Sequence, residues 1–266
     1  MAMGSPTAAI FEAQSAYQTV FVGERNGVRF LRFGGAHASW QGAYVIARPE
    51  RLYFPYQQAF SLHTAWRPRV SRFLALGIGT ATAISHVYRR HPGAEIVGVD
   101  IDAMVIEAAR RFFHAPDGPR VRLVQADARL FVPRLQDVFD LIFLDAFFQE
   151  ETPQTMLSPV FLRALADRLE PGGVLMVNAI MPTAGARRRR FVNLCRNLKL
   201  LVGPVWVLSL GLIPFVENNV LIIARRAPAA ALSLEAVRMR ALREIRAHAH
   251  VYPGHSRFLP GRIQQI

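Results

Sequence analysis

At 266 residues, with 52% hydrophobic and 19% charged residues, the chain carries enough apolar material to bury a sizeable core, which excludes a disordered tail or linker. A single cysteine, Cys195, excludes an intrachain disulfide and any cysteine-built metal site, so redox chemistry is not expected. The formal charge of +13 admits an anionic partner, but Lys199 is the only lysine and no aromatic residues interleave with the Arg187–Arg190 run as base stacking would require. A nucleic-acid partner is therefore not expected, and the run reads as a solvated helix face.

Residues 1–14 lack the basic start and continuous apolar stretch of a secretory signal; they read as a disordered lead-in, and the expected location is cytoplasmic. Residues 15–66 hold short β-branched and aromatic runs, YQTVFV, GVRFLRF and YVIA, separated by turn-rich GERN and GGAHASWQG. That pattern predicts a small amino-terminal β unit. Over residues 67–266 the rhythm changes to strands alternating with helices. The strand RFLALG precedes the helix ATAISHVYRR, which stops before His91-Pro92-Gly93, and EIVGVD precedes the helix DAMVIEAARRFF. The strands VRLVQAD and FDLIFLDAF follow. A further helix, SPVFLRALADRLE, ends at Pro171-Gly172-Gly173 before the strand VLMVNAI. VWVLSL and NVLIIARR add strands, and LSLEAVRMRALREIRAHAH predicts an amphipathic closing helix. The uncharged run from Leu200 to Val216 is too short for a spanning helix and is broken by Gly203, Pro204, Gly211 and Pro214, so it reads as core strand and turn rather than membrane segment. The alternation predicts an α/β fold, a Rossmann-like parallel sheet with helices on both faces and ligands at the carboxyl edge of its strands.

Candidate chemistry lies at that edge. Gly77 and Gly79 permit a tight turn whose amides approach a polar ligand at a helix start. Thr82 stands where the third glycine of a dinucleotide fingerprint would be, so the turn by itself is equally a structural one. Asp100 ends the next strand, where a carboxylate can accept hydrogen bonds from both ribose hydroxyls; Asp100 and more so Asp102 can instead cap the following helix. Asp127 ends the third strand, placed to accept from an adenine amino group or to act as a cap. Asp145 ends the fourth and is the best candidate for taking a proton from an amine nucleophile. Asp140, one strand length earlier, reads as structural. His248 and His250, two apart, point to different faces of a helix and make no metal pair. Ser71, Ser158 and Ser209 lack the strand-turn-helix elbow of a serine hydrolase.

From roughly Tyr17 to Arg225 the chain resembles the polyamine aminopropyltransferases, spermidine synthase and its bacterial relatives, through AYQTVFV, LYFPYQQAF, FLALGIGTATA, GVDIDAMVIEAARRFF, VQADARLF, FDLIFLDAF and LEPGGVLMVN in family order. The resemblance implies an S-adenosylmethionine-dependent transferase fold, a homodimer, and decarboxylated S-adenosylmethionine or S-adenosylmethionine as co-substrate with a small-molecule amine as acceptor. It gives Gln18 and Gln57 to the nucleoside and its side chain, Tyr56 to the amine pocket, Asp100 to ribose, Asp127 to adenine and Asp145 to catalysis, and it brings His37 near the loop glutamine. Two departures stand out. The family's glycine loop carries an aspartate where this chain has Thr80, and Phe148 replaces the second carboxylate of the family's DxxD pair. Thr80 removes the repulsion that would exclude a carboxylate-bearing nucleoside, and Phe148 removes a charge that would hold a diamine. Three readings remain: aminopropyl transfer, methyl transfer from ordinary S-adenosylmethionine, and a nucleoside-binding homologue without turnover.

Overall fold

Strands buried on both faces need continuous apolar sequence, and the computed structural model, which describes residues 8–35, 38–145 and 154–266, forms its central sheet from such runs. β6 (Arg72–Leu76) and β9 (Phe139–Leu144) lie at its middle, with every residue of β9 buried. The sheet has eight strands in the order β13-β11-β12-β10-β9-β6-β7-β8, completed by β7 (Glu95–Asp100), β8 (Val121–Gln125), β10 (Leu169–Met181), β11 (Val205–Ser209), β12 (Asn218–Arg225) and β13 (Ile263–Gln265). β10, β9, β6, β7 and β8 run parallel, while β12, β11 and β13 add antiparallel pairs at one side. The sheet is thus parallel-rich and mixed rather than wholly parallel. The turn from β11 into β12 is a hairpin-type return, which needs no crossover helix.

The period of two along each strand divides the core between the faces. Phe73, Ala75, Leu141, Phe143, Val174 and Met176 face α1 (Pro55–Ser61), α2 (Thr82–Arg90) and, through Val237 and Ala241, the closing helix α7 (Leu234–Ala247). Leu74, Leu76, Ile142, Leu144, Leu175 and Val177 face α5 (Pro159–Asp167) and α6 (Arg189–Leu201). Three further helices, α3 (Ala103–Phe112), α4 (Ala128–Phe131) and α8 (Leu259–Arg262), complete the set, and no helix among the described residues is long and apolar enough to cross a membrane.

The amino-terminal β unit is a five-stranded antiparallel sheet, β1 (Ala8–Gln14), β2 (Thr19–Arg25), β3 (Val28–Phe33), β4 (Trp40–Val45) and β5 (Arg48–Leu52), in sequential order. The lead-in expected to be disordered over residues 1–14 is corrected for residues 8–14, and residues 1–7 lie outside the described residues. Residues 8–14 form an edge strand paired with β2 from Ala8↔Glu24 to Gln14↔Thr19, held by backbone bonds that its small and polar side chains do not announce. β5 was not foreseen either, because RPERL lacks β-branched residues. Val20, Val22, Leu31 and Tyr44 of this sheet pack on Val105, Ala108 and Phe113, so the unit sits on α3. Ser15 Oγ donates to Asp102 at 2.6 Å, and Arg29 Nη1 donates to the Phe112 carbonyl at 2.8 Å, fixing its orientation over the sheet edge. Asp140 is structural as expected. It accepts from Arg67 and from the amides of Ser71 and Arg72, tying the start of β9 to the start of β6.

Candidate functional site

β9, β6, β7 and β8 are consecutive neighbours, so the residues at their carboxyl ends form a row: Asp145, the Gly77–Ala81 loop, Asp100 and Asp127. At about 4.8 Å per strand, three spacings put the two ends of the row about 14 Å apart, the scale of a nucleoside with an extended arm. A cavity of about 900 Å³ lies over this row, roofed by the amino-terminal β unit and α1. Gln18, Tyr56, Gln57, Gly77, Gly79, Thr80, Asp100, Asp127 and Asp145 all line it. His37 and Phe148 lie outside the described residues.

The loop after β6 is shaped by alternating left-handed residues: φ is +91° at Gly77, +51° at Gly79 and +53° at Ala81. Glycine takes these values freely, whereas Ala81 stores strain of about 1–2 kcal/mol. The amide of Ile78 is turned towards β7 and donates to Asp100 Oδ2 at 2.9 Å, while Asp100 Oδ1 accepts from the Asp102 amide at 3.1 Å. Each carboxylate oxygen keeps a further lone pair for a ligand hydroxyl. Asp102, not Asp100, caps α3, accepting from the Met104 amide at 2.9 Å. Burial raises the Asp100 carboxyl to about 6, against the backbone bonds that favour its ionised form.

Of the two roles open for Asp127, the structure shows the cap. It caps α4 by accepting from the Arg129 amide at 2.9 Å, and it faces the cavity. The Arg129 side chain clamps the same carboxylate, Nη2 to Oδ2 at 2.6 Å, and holds it below the ordinary range. The Arg129 guanidinium thus takes up part of this carboxylate's accepting capacity, a contact that sequence reasoning missed.

Asp145 is held by a buried relay. Asn178 on β10, 1% exposed, donates Nδ2 to Asp145 Oδ1 at 2.8 Å, and Asn219 donates to Asn178 Oδ1 at 3.1 Å. Burial raises the Asp145 carboxyl to about 6, opposed by the Asn178 hydrogen bond. The signal for Asn178 is a lone amide inside the apolar strand VLMVNAI; the sequence could have offered it, since a buried amide needs a partner.

Tyr56 donates its hydroxyl to the Gln41 carbonyl at 2.9 Å. Burial, and then the Asp145 charge, push it well above the usual phenol range, so it stays protonated and its oxygen can accept from an incoming amine. Gln57 has a different employment from a free ligand-binding amide. Its Oε1 accepts from the amides of Tyr53 and Phe54 at 3.2 and 3.0 Å, capping α1, and its Nε2 donates to Thr82 Oγ1 at 3.1 Å. Thr82 in turn shares a 2.9 Å bond with Thr80. Gln18 is fixed through its backbone, whose amide donates to Ser15 Oγ at 3.0 Å.

Gly42 on β4 closes the roof onto the loop. A Cβ there would meet Thr80 Cγ2 at 2.5 Å and Oγ1 at 2.6 Å. Gly42→Ala is expected to cost about 1–3 kcal/mol through overpacking, read as a lower midpoint of thermal unfolding together with weaker nucleoside binding. An unchanged melting curve would show that roof and loop part freely.

A methyltransferase-domain family model matches residues 73–173, the segment that contributes the loop, Asp100, Asp127 and Asp145. Among curated proteins, the chain is similar to a polyamine aminopropyltransferase of Vibrio vulnificus, 29% identical over 174 residues, covering 64% of this chain and 58% of that protein. It is also similar to one of Chromobacterium violaceum, 26% identical over 230 residues, covering 86% of this chain and 84% of the other. Among solved structures, a probable spermidine synthase from Corynebacterium glutamicum superposes with a TM-score of 0.74 at 18% identity, over 91% of this chain and 88% of that one, a likeness of fold. The fold, with its antiparallel roof over a methyltransferase-type sheet, and the sequence relatives point the same way, and together they support a spermidine synthase-like family for this chain.

Proposed function

We propose that the protein is a transferase that moves the three-carbon arm of an S-adenosylmethionine-type sulfonium nucleoside to a small-molecule amine, aminopropyl transfer being the parent reaction. The observation that carries this reading is the single row of Asp127, Asp100, the glycine loop and Asp145 under one roof, with Asp145 anchored by Asn178 beside Tyr56. Asp100 receives the ribose hydroxyls, Asp127 the adenine edge, and the loop with Gln57, Thr82 and Thr80 borders the arm. Gln18 closes the cavity from the roof. The acceptor amine rests between the Tyr56 oxygen and Asp145. Its nitrogen lone pair forms a bond to the arm carbon beside sulfur, the carbon–sulfur bond breaks, and methylthioadenosine leaves with the electron pair. Asp145 takes the proton that the new ammonium sheds.

The test is release of methylthioadenosine when the purified protein is given S-adenosylmethionine or its decarboxylated form with a panel of linear amines. No release from either nucleoside with any amine would sink the reading. A second reading is methyl transfer, favoured by the match over residues 73–173 and by the uncharged Thr80; it would give S-adenosylhomocysteine in place of methylthioadenosine. The cytoplasmic location and homodimer belong to the same proposal, and light scattering of the purified chain reads the latter.

The pH dependence follows from Asp145. Its carboxyl lies raised at about 6, so the base is ionised above that pH and protonated below it. kcat/KM is expected to fall about tenfold per unit as pH drops below about 6. The effect on stability has its own sign: the folded state holds this proton more tightly than the unfolded chain, so the group favours folding most at low pH and loses that contribution as pH rises through about 6. A kcat/KM profile that is flat between pH 5 and 7, values bracketing the raised carboxyl at about 6, would remove Asp145 as the base.

A further inference from the structure

The uncharged run from Leu200 to Val216 divides in the structure. Val205–Ser209 is the strand β11, with its first four residues buried, whereas the loop that follows leaves Leu212 84%, Ile213 56%, Phe215 62% and Val216 50% exposed. The loop is held by its backbone. The Pro214 carbonyl accepts from the amides of Thr183 and Ala184 at 2.9 and 3.0 Å, and Asn218 Nδ2 donates to the carbonyls of Ile213 and Val216 at 2.9 and 3.2 Å. Three successive carbonyl positions are thus taken up by the protein while the large apolar side chains are left outside, the reverse of an ordinary solvated loop. An exposed contiguous apolar patch of this kind marks an interaction surface. It adjoins the cavity, because Glu217, Asn218 and Asn219, which follow it directly, are part of the cavity wall.

The same backbone bonds fix what stands beside the loop. A Cβ built on Gly185 would meet the Phe215 ring at 3.2 Å, and two residues after Gly185 comes the exposed run Arg187–Arg190. Along α6, which this run opens, Val192, Arg196, Lys199 and Leu200 are exposed too, at the spacings of three and four that put side chains on one helix face. The sequence holds no Asp or Glu between Glu170 and Glu217. Among the described residues, none of the arginines 187–190, Arg196 or Lys199 forms an ion pair, whereas Arg29, Arg90 and Arg129 meet Glu24, Glu244 and Asp127. Cations without counter-charge call for an anionic partner, and the aliphatic side chains beside them call for an apolar layer behind its charges. A nucleic acid offers phosphate but no such layer for Leu212, Ile213 and Val216. A second copy meeting this face about a twofold axis would set one arginine run against the other.

We propose that the Leu212–Val216 loop and the neighbouring Arg187–Arg190 run dock the protein on an anionic phospholipid surface. The loop's apolar side chains enter the headgroup boundary, and the guanidiniums pair with lipid phosphates beside it. The loop suits that boundary because the carbonyls of Ile213, Pro214 and Val216 already have protein donors and lose little when water is withdrawn. The contact is with one leaflet, and it sets the cavity wall at Glu217–Asn219 next to lipid. It holds whichever group the enzyme transfers.

Sedimentation of the full chain with lipid vesicles provides the test, using phosphatidylcholine alone and phosphatidylcholine mixed with about one third phosphatidylglycerol. At about 0.1 M salt the protein is expected to bind the phosphatidylglycerol vesicles at least about 10-fold more tightly than the neutral ones, and to be released at about 1 M salt, where screening is nearly complete. Replacing three cations together, Arg187→Gln, Arg188→Gln and Arg190→Gln, is expected to weaken vesicle binding about 100-fold. Leu212→Ser with Phe215→Ser is expected to weaken it at least about 10-fold, and Leu212→Ser alone, at the most exposed position, should show part of that loss without touching the Gly185 contact. None of these residues lines the cavity, so S-adenosylmethionine affinity and the unfolding midpoint of Leu212→Ser should stay at wild-type values. Equal binding to both vesicle types, no binding to either, or variants that sediment like wild type overturn the proposal. So does a dimer, seen by light scattering, that Leu212→Ser dissociates while vesicles retain nothing. Retention on a DNA duplex that needs the arginines but not Leu212, again without vesicle binding, overturns it in favour of a nucleic-acid partner.

Discussion

Asp145→Asn is expected to lower kcat by about 10²–10⁴-fold while nucleoside affinity stays near the wild-type value. The replacement is nearly isosteric and keeps one oxygen to accept from Asn178 Nδ2, which now stands 2.8 Å from Asp145 Oδ1, so the end of β9 should hold its shape. What disappears is a group able to carry the acceptor's proton. The Tyr56 hydroxyl cannot take over, since its proton is engaged with the Gln41 carbonyl and burial keeps the phenol protonated. Single-turnover measurement of methylthioadenosine release would isolate the chemical step from product release. Turnover within a few fold of wild type would dismiss Asp145 as the base. The acid limb of kcat near pH 6, read with the nucleoside saturating so that Asp100, also raised to about 6, does not contribute through binding, should vanish in the same variant, which separates loss of the base from simple misplacement of the acceptor.

Asp100→Ala is expected to weaken adenosine-type ligands by about 1.5–3 kcal/mol, roughly 10- to 100-fold, the range for hydrogen bonds to a charged acceptor. Both carboxylate oxygens accept a backbone amide, from Ile78 and from Asp102, and the carboxylate lines the cavity. Removing the side chain also frees the Ile78 amide inside the glycine loop, and some of the loss will come from a loosened loop. Methylthioadenosine is the appropriate probe because it lacks the arm's end groups and reads the ribose and base alone. Unchanged affinity would show that the ribose lies elsewhere. A change confined to S-adenosylmethionine would place Asp100 at the arm instead.

The order of strands and helices from Arg72 onwards was legible because its physical cause is local. Strands such as FLALG and FDLIFLD are apolar throughout, as burial on both faces demands, and the helices between them carry their apolar residues at helical spacing. The three strand-end carboxylates, Asp100, Asp127 and Asp145, could be read for the same reason: a carboxylate that closes an apolar strand run falls at the sheet's edge. The sequence by itself therefore determined the parallel half of the sheet, the glycine turn and the carboxylates at the edge. Tertiary structure alone decided how those groups are employed. Gln57 caps α1 and reaches Thr82, Asp127 is shared with Arg129, and Asp145 is steadied by Asn178 and Asn219 from two other strands. The pairing of residues 8–14 with β2 and the antiparallel pairing of β11 to β13 are equally non-local. Backbone pairing, desolvation and a missing hydrogen-bond partner depend on what lies opposite in space, and neighbouring residues in the chain carry no record of that.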